Sequence, residues 1–180
     1  KGEAYGLRAW NYFNLLQSHA GKGADGAMYG VPIVDHVLKT ANPSDYQIAR
    51  SSFKDLVKFI IDDCDSAIAI LPDRWADSGN ANVDIAMGVR NTNRINGLAV
   101  RLIKAKTLLY AASPLNNKNG IDDWKAAAKE NWEAIQLAEQ NGYFLLSGPN
   151  YKLNFVGTNY TDEHLWAWAA GPQAYNAARM

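Results

Sequence analysis

The chain has 180 residues, 48% of them hydrophobic and 20% charged, with 18 basic side chains against 18 acidic ones. The apolar fraction excludes wholesale disorder, and a pI near 7.0 gives no electrostatic reason to expect nucleic acid or an anionic membrane surface as partner. Cys64 stands alone, which excludes an internal disulfide framework and a Cys-based zinc site, and no apolar run approaches the ~20 residues that cross a bilayer.

The sequence opens on Lys1-Gly2-Glu3-Ala4-Tyr5 with no starting Met and no apolar signal-peptide core. These residues already read as the first turn of a helix, so the chain is expected to be an internal fragment of a longer protein. Tyr5, Ala9, Tyr12, Phe13 and Leu16 recur on one helical face and predict a helix over about 3–18. Gly21, Gly23 and Gly26 end it, and residues 21–50 read as a long loop. Within that loop Gly30-Val31-Pro32-Ile33-Val34 is extended, because Pro32 disfavours the α region at Val31. Ser51 or Ser52 can cap a second helix over 52–71, whose stripe runs Phe53, Leu56, Val57, Ile60, Cys64, Ala67, Ile68 and Leu71 before Pro72 stops it. Asp62, Asp63 and Asp65 fall mostly off the stripe and read as solvated surface.

Residues 73–92 are polar and rich in Gly and Asn, and read as a long connection. A third helix over 94–113 carries Ile95, Leu98, Ala99, Leu102, Ala105, Leu109 and Ala112 on its face, with Arg101, Lys104 and Lys106 largely opposite. Pro114 stops it. Asp122 can cap a fourth helix over 122–141, with Trp124, Ala127, Ala128, Asn131, Ile135 and Ala138 as its face and Gly142 as its end. The tail turns to short apolar pieces between Gly and Asn, and His164-Leu165-Trp166-Ala167-Trp168 reads as a short strand.

Few motifs carry chemistry. Gly21-Lys22-Gly23-Ala24-Asp25-Gly26 matches G-x-G-x-x-G, but a dinucleotide loop needs a strand before it and a helix after it. Here a helix precedes, so a flexible helix terminator is the better reading. The run Asp77-Ser78-Gly79-Asn80-Ala81-Asn82-Val83-Asp84 is oxygen-rich like a calcium loop, yet lacks the Gly at its sixth position and the Glu at its twelfth. His19, His36 and His164 form no ligand spacing, and no serine sits in a nucleophile elbow. No cofactor or metal is expected. Aromatics in polar loops, namely Tyr29, Tyr46, Trp75, Tyr151 and Tyr160, either anchor their loops or stack on sugar rings. For a ligand, the expected contacts are Trp75, Asp77, Asn80, Arg90 and Asn91, in the longest polar connection.

The ordered segments resemble the SusD/RagB family of Bacteroidetes outer-membrane nutrient-binding lipoproteins. Gly2-Glu3-Ala4-Tyr5-Gly6-Leu7-Arg8-Ala9 is similar to that family's first helix, Gly30-Val31-Pro32-Ile33-Val34 to its "GxVPLV" segment, and Arg50-Ser51-Ser52-Phe53 through Leu71-Pro72 to its second helix. Asn93-Arg94 leading to Leu108-Leu109-Tyr110-Ala111-Ala112-Ser113-Pro114, then Asp123-Trp124 through Tyr143-Phe144-Leu145, and finally Asp162-Glu163-His164-Leu165-Trp166 continue the series. Asn93-Arg94 departs from the usual Gly-Arg order.

The resemblance implies a mainly α, tetratricopeptide-like helical scaffold over 1–142, with long irregular loops and a few short strands. Residues 143–180 would begin an irregular, short-strand substrate-binding part. It further implies no catalysis, an oligosaccharide or peptide ligand, a SusC-type TonB-dependent outer-membrane barrel as partner, no nucleic acid, and a cell-surface lipid anchor outside this fragment. The strict tetratricopeptide pattern, with its period of about 34 residues, is absent. A protein-binding adaptor of tetratricopeptide type, a peptide-capturing RagB-type protein and a carbohydrate-active enzyme with a helical core are the alternatives.

Overall fold

A computed structural model describes residues 1–39, 43–92, 94–117, 119–156 and 161–166. Asn93, Tyr160 and the Ala167-Trp168 half of the expected strand lie outside these residues. The elements in chain order are α1 (Gly2–His19), β1 (Gly21–Lys22), β2 (Met28–Tyr29), α2 (Phe53–Ile68), α3 (Ala81–Met87), α4 (Gly97–Ala111), α5 (Ile121–Gln140) and α6 (Leu153–Val156). Short 3-10 turns lie at Pro43–Tyr46, Val89–Asn91 and Gly148–Asn150. The mainly α fold class holds.

The four long helices lie close to their expected bounds, and the caps explain the differences. Ser52 caps α2, its hydroxyl accepting from the Asp55 N–H at 3.0 Å. Asn96, with extended backbone, caps α4 through Oδ1 to the Ala99 N–H at 2.8 Å, so this helix starts three residues later than 94. Gly120 at φ 62° leads into α5, so Asp122 is not the cap. Asp123 instead reaches back to the Asn119 N–H at 3.1 Å.

The row of helices runs α1, α2, α4, α5, with α4 also touching α1. Ala9, Phe13 and Leu16 meet Leu56, Ile60, Cys64 and Ala67, and beneath them lie Ile95, Ala99, Val100 and Ile103. Close approach needs Gly6, where a Cβ would come within 2.8 Å of Val100 Cγ2. Because α4 is covered by α1 and α2 on one side and by α5 on the other, it buries Val100, Ile103 and Thr107 beyond its expected stripe, while Leu109 is exposed. Arg101 and Lys104 are half-buried and turn toward Glu130 of α5.

Asp63 corrects the reading of the acidic run as solvated surface. It is buried, and the Arg8 guanidinium donates to both its oxygens at 2.6 and 2.7 Å. Arg8 also lies over the Phe59 ring at 4.9 Å, which covers the apolar face of its cation. Asp62 and Asp65 pair outward, with Lys58 at 2.6 Å and Lys104 at 2.8 Å.

The glycine-rich string is not a loose terminator. It is the turn of an antiparallel hairpin, with Gly21 opposite Tyr29 and Lys22 opposite Met28. Gly26 supplies the left-handed residue at φ 83°, and Asp25 accepts from the Ala27 N–H and the Tyr29 hydroxyl. The extended segment after it pairs with the start of α2: Gly30 N–H donates to Ser51 O at 2.9 Å and Ser51 N–H to Val31 O at 3.2 Å. A Cβ at Gly30 would sit 2.9 Å from the Ser52 carbonyl oxygen, so only glycine lets these backbones meet.

Candidate functional site

The connection after α2 is more ordered than its composition suggests. It contains α3, capped by Asn80, whose side chain accepts from the Asn82 N–H at 3.1 Å. Asp84 accepts from both the N–H and the hydroxyl of Ser78 at 2.7 Å, which holds its pKa below the ordinary carboxylate value. Asp77 accepts from the Val89 N–H at 2.9 Å. The two carboxylates thus serve the connection's own backbone, and among the described residues no three His, Cys, Asp or Glu side chains converge to hold a metal.

Of the five expected contacts, Asn80 and Arg90 are exposed, while Asp77 is exposed but engaged with Val89. Asn91 is buried, and its Nδ2 donates to the Gly88 carbonyl at 3.3 Å. Trp75 is only 4% exposed, and its indole N–H donates to Arg94 O at 2.9 Å. It anchors the connection ahead of α4 and borders a small pocket with Arg74, Thr92 and Tyr143. A buried aromatic in a polar stretch has no periodicity to reveal its orientation, which is why sequence alone left anchoring and stacking both open.

The structure gathers charged and hydrogen-bonding side chains where residues 161–166 cross the scaffold. Arg74 donates to the Asn141 carbonyl at 2.8 Å and to Asp162 Oδ1 at 2.7 Å, and lies 4.7 Å from the centre of the Tyr143 ring. Burial raises the Tyr143 pKa, against the opposing pull of Arg74 and the Asn96 hydrogen bond. Asn96 Nδ2 donates to the Tyr143 hydroxyl at 3.1 Å and to Leu165 O at 3.0 Å. Glu163 accepts from Asn154 Nδ2 at 2.7 Å and from the Leu146 N–H at 3.2 Å, which lowers its pKa and keeps it anionic. Over its described residues this segment is turn and bend, because its carbonyls and carboxylates bond to side chains and isolated N–H groups instead of to a strand.

Beside it opens a cleft of about 480 Å³ between Trp10 of α1, Leu102 and Lys106 of α4, and Glu163, His164 and Trp166 of the crossing segment. Trp10 and Trp166 meet edge to face with centroids 5.8 Å apart. The size suits one or two sugar rings or a short side-chain cluster. Aromatic faces with a cation and an anion at the rim provide stacking and hydrogen bonding. Neither Trp10 nor Trp166 is among the ligand contacts expected from the sequence. Their pairing across the chain is a tertiary fact that no local pattern encodes.

Comparisons with known proteins show what the chain is similar to. The profile of a SusD-like family, described as starch-binding associating with outer membrane, matches residues 1–82. A SusD-like protein from Bacteroides fragilis shares 25% identity and a TM-score of 0.61, over 88% of this chain and 24% of its own. A SusD-like carbohydrate binding protein from Bacteroides vulgatus shares 20% identity with a TM-score of 0.64, over 99% of this chain and 32% of its own. A SusD superfamily protein from the same species gives 22% and 0.60, over 86% and 29%. No curated protein matches the chain. This chain thus spans about a quarter to a third of the length of the solved structures it matches. The chain is matched by the SusD-like family profile through its first two long helices and shares the fold of SusD-like structures over most of its length.

Proposed function

We propose that this chain is the helical part of a surface lipoprotein that captures oligosaccharide at the outer membrane and passes it to a SusC-type TonB-dependent barrel, without converting it. The observation that carries this reading is the Trp10–Trp166 cleft on a SusD-like scaffold. Sugar rings present apolar C–H faces to indole and hydroxyls to Lys106 and Glu163. Hydrogen bonds already hold Glu163 ionised, which makes it an acceptor for hydroxyls rather than an acid that protonates a glycosidic oxygen. Of the connection residues, Asn80 and Arg90 reach solvent and can add contacts, while Trp75, Asp77 and Asn91 hold the connection in place. The outer faces of the helices are the candidate contacts for the barrel.

The test is retention of the full-length protein in gels cast with different polysaccharides, followed by titration with the oligosaccharide retained best. Trp166→Ala is expected to weaken binding about tenfold, the loss of one stacked ring. Unchanged affinity removes the cleft as the site. Binding of peptides in place of glycans selects the RagB-type alternative, and release of shorter sugars from the bound glycan refutes a purely capturing role.

A further inference from the structure

Trp166 supplies half of the aromatic pair in the cleft, yet residues 161–166 are turn and bend, with no helix or strand to aim its ring. The direction of that indole comes from contacts made elsewhere. Glu163 is held by Leu146 and Asn154, and the Thr161 N–H and hydroxyl meet His164 Nδ1 at 3.1 and 2.8 Å. Those partners all lie beyond α5. Among the described residues, a single hydrogen bond joins 163–166 to the row of long helices. It runs from Asn96 Nδ2, at the cap of α4, to the Leu165 carbonyl at 3.0 Å.

We infer that Asn96 is a positioning residue for the ligand cleft, its carboxamide setting the direction in which Trp166 presents its indole, a role that rests on the Trp10–Trp166 cleft being the proposed site. The Leu165 carbonyl and the Trp166 Cα belong to one planar peptide unit. Fixing that oxygen therefore fixes the plane from which the Trp166 side chain departs. Asn96 is only 1% exposed, so water does not compete for its amide. Its Oδ1 accepts from the Ala99 N–H at 2.8 Å, and its Nδ2 also donates to the Tyr143 hydroxyl at 3.1 Å, so the carboxamide cannot turn without losing both. The backbone beneath it is equally fixed. Ile95 and Leu98 are buried on either side, and the Gly97 N–H donates to Pro72 O at 2.8 Å. Ala99 is itself a wall of the cleft. One amide thus bonds to the wall on α4 through Oδ1 and, through Nδ2, to the residue that precedes the facing ring. Binding sites keep their geometry through such supporting hydrogen bonds on rigid elements, and a small misplacement of a contact group weakens the ligand.

The experiment uses the full-length protein labelled with 5-fluorotryptophan, with the Trp166 fluorine resonance assigned by Trp166→Phe. Asn96→Asp keeps the helix cap, since Asp and Asn cap about equally well, but it cannot donate to the Leu165 carbonyl. Should that variant not fold, Asn96→Ser keeps a cap with a side chain too short to reach Leu165. Asn131→Ala is the control, because it loses amide hydrogen bonds between α4 and α5 outside the cleft. The Trp166 resonance is expected to move in Asn96→Asp and to stay in place in Asn131→Ala. Affinity for the oligosaccharide selected by the gel screen is expected to fall about fivefold in the first variant and less than about twofold in the control. An unmoved Trp166 resonance in Asn96→Asp overturns the inference, as does an equal movement in Asn131→Ala. Full affinity in Asn96→Asp overturns it too where Trp166→Ala weakens binding. Unchanged affinity in Trp166→Ala refutes the cleft as the glycan site instead, and the resonance then still decides whether Asn96 sets the ring.

Discussion

The contact of α1 with α2 and that of α4 with α5 use the same ingredients, small residues and an interhelical ion pair, and differ in how tightly they close. In the first, Arg8 grips Asp63 with two short hydrogen bonds beneath aromatic cover. In the second, Arg101 and Lys104 reach Glu130 only at 3.8 and 3.4 Å, and Arg101 Nε and Glu130 Oε1 are buried with no hydrogen-bond partner among the described residues. Burial works against the Lys104 charge, and the carboxylates of Asp65 and Glu130 more than offset it, so its pKa is raised. A buried ion pair steadies a fold when every lone pair and N–H is taken up; otherwise desolvation cancels much of the attraction. The first contact is therefore set, and the second is held chiefly by packing.

The largest expected effect is at Asp63. Asp63→Ala leaves the Arg8 cation without its carboxylate and should cost about 2–4 kcal/mol in urea denaturation, below the fully buried range because Arg8 keeps some solvent. The double variant Arg8→Met with Asp63→Leu should recover most of that loss; a double variant as unstable as the single one breaks the argument. Next, Gly6→Val forces a side chain against Val100 and Ile95 and should cost about 2 kcal/mol by overpacking, read as a fall in Tm. Asn131 ties the second contact through Nδ2, donating to Ala127 O at 2.8 Å and Ala105 O at 3.3 Å, so Asn131→Ala should cost about 1 kcal/mol. The smallest effect is at Glu130: Glu130→Gln should change stability by less than about 1 kcal/mol in either direction. A loss there equal to that of Asp63→Ala would erase the distinction between the two contacts.

Cys64, in the tight contact, adds a pH dependence. Burial first, then the Asp65 and Asp63 charges, push its thiol from an ordinary 9.0 up to about 12. The folded state therefore keeps a proton that the unfolded state releases, and stability falls as pH rises through the window between those values. Cys64→Ala should flatten that alkaline limb of the urea midpoint against pH.

Much of the scaffold was legible in sequence because long helices write a period of 3.6 into it. Phe53, Leu56, Ile60, Cys64 and Ala67 all proved buried as their spacing predicted. What failed was whatever depends on a neighbour. Of the α5 face expected at Trp124, Ala127, Ala128, Asn131, Ile135 and Ala138, Ala127 is buried, but Trp124 and Ile135 are exposed and Ala134 is buried in their stead, since an apolar arc wider than one contact does not say which half is used. Asp63 looked solvated because Arg8 lies 55 residues away. The connection hid α3, a helix of seven residues with no buried side chain and hence no stripe. The expected contacts there were chosen for polarity, and polarity in a loop equally marks residues that satisfy the loop's own backbone, as Asp77 and Asn91 do.

Asn96 has a consequence for how such a chain can change over time. Its one carboxamide fixes the first turn of α4 through Oδ1, and through Nδ2 it pins both Tyr143 and Leu165. Phe144 N–H donates to Asp162 O at 3.2 Å just beside that clamp. Leu146 and Asn154 hold Glu163 from within the stretch between these two fastened ends, and the clamp fixes both ends without setting that stretch's length. Lengthening it adds only about 0.6 kcal/mol per doubling of the loop, so insertions there can remodel the rim beside Trp166 while the helical row stays as it is.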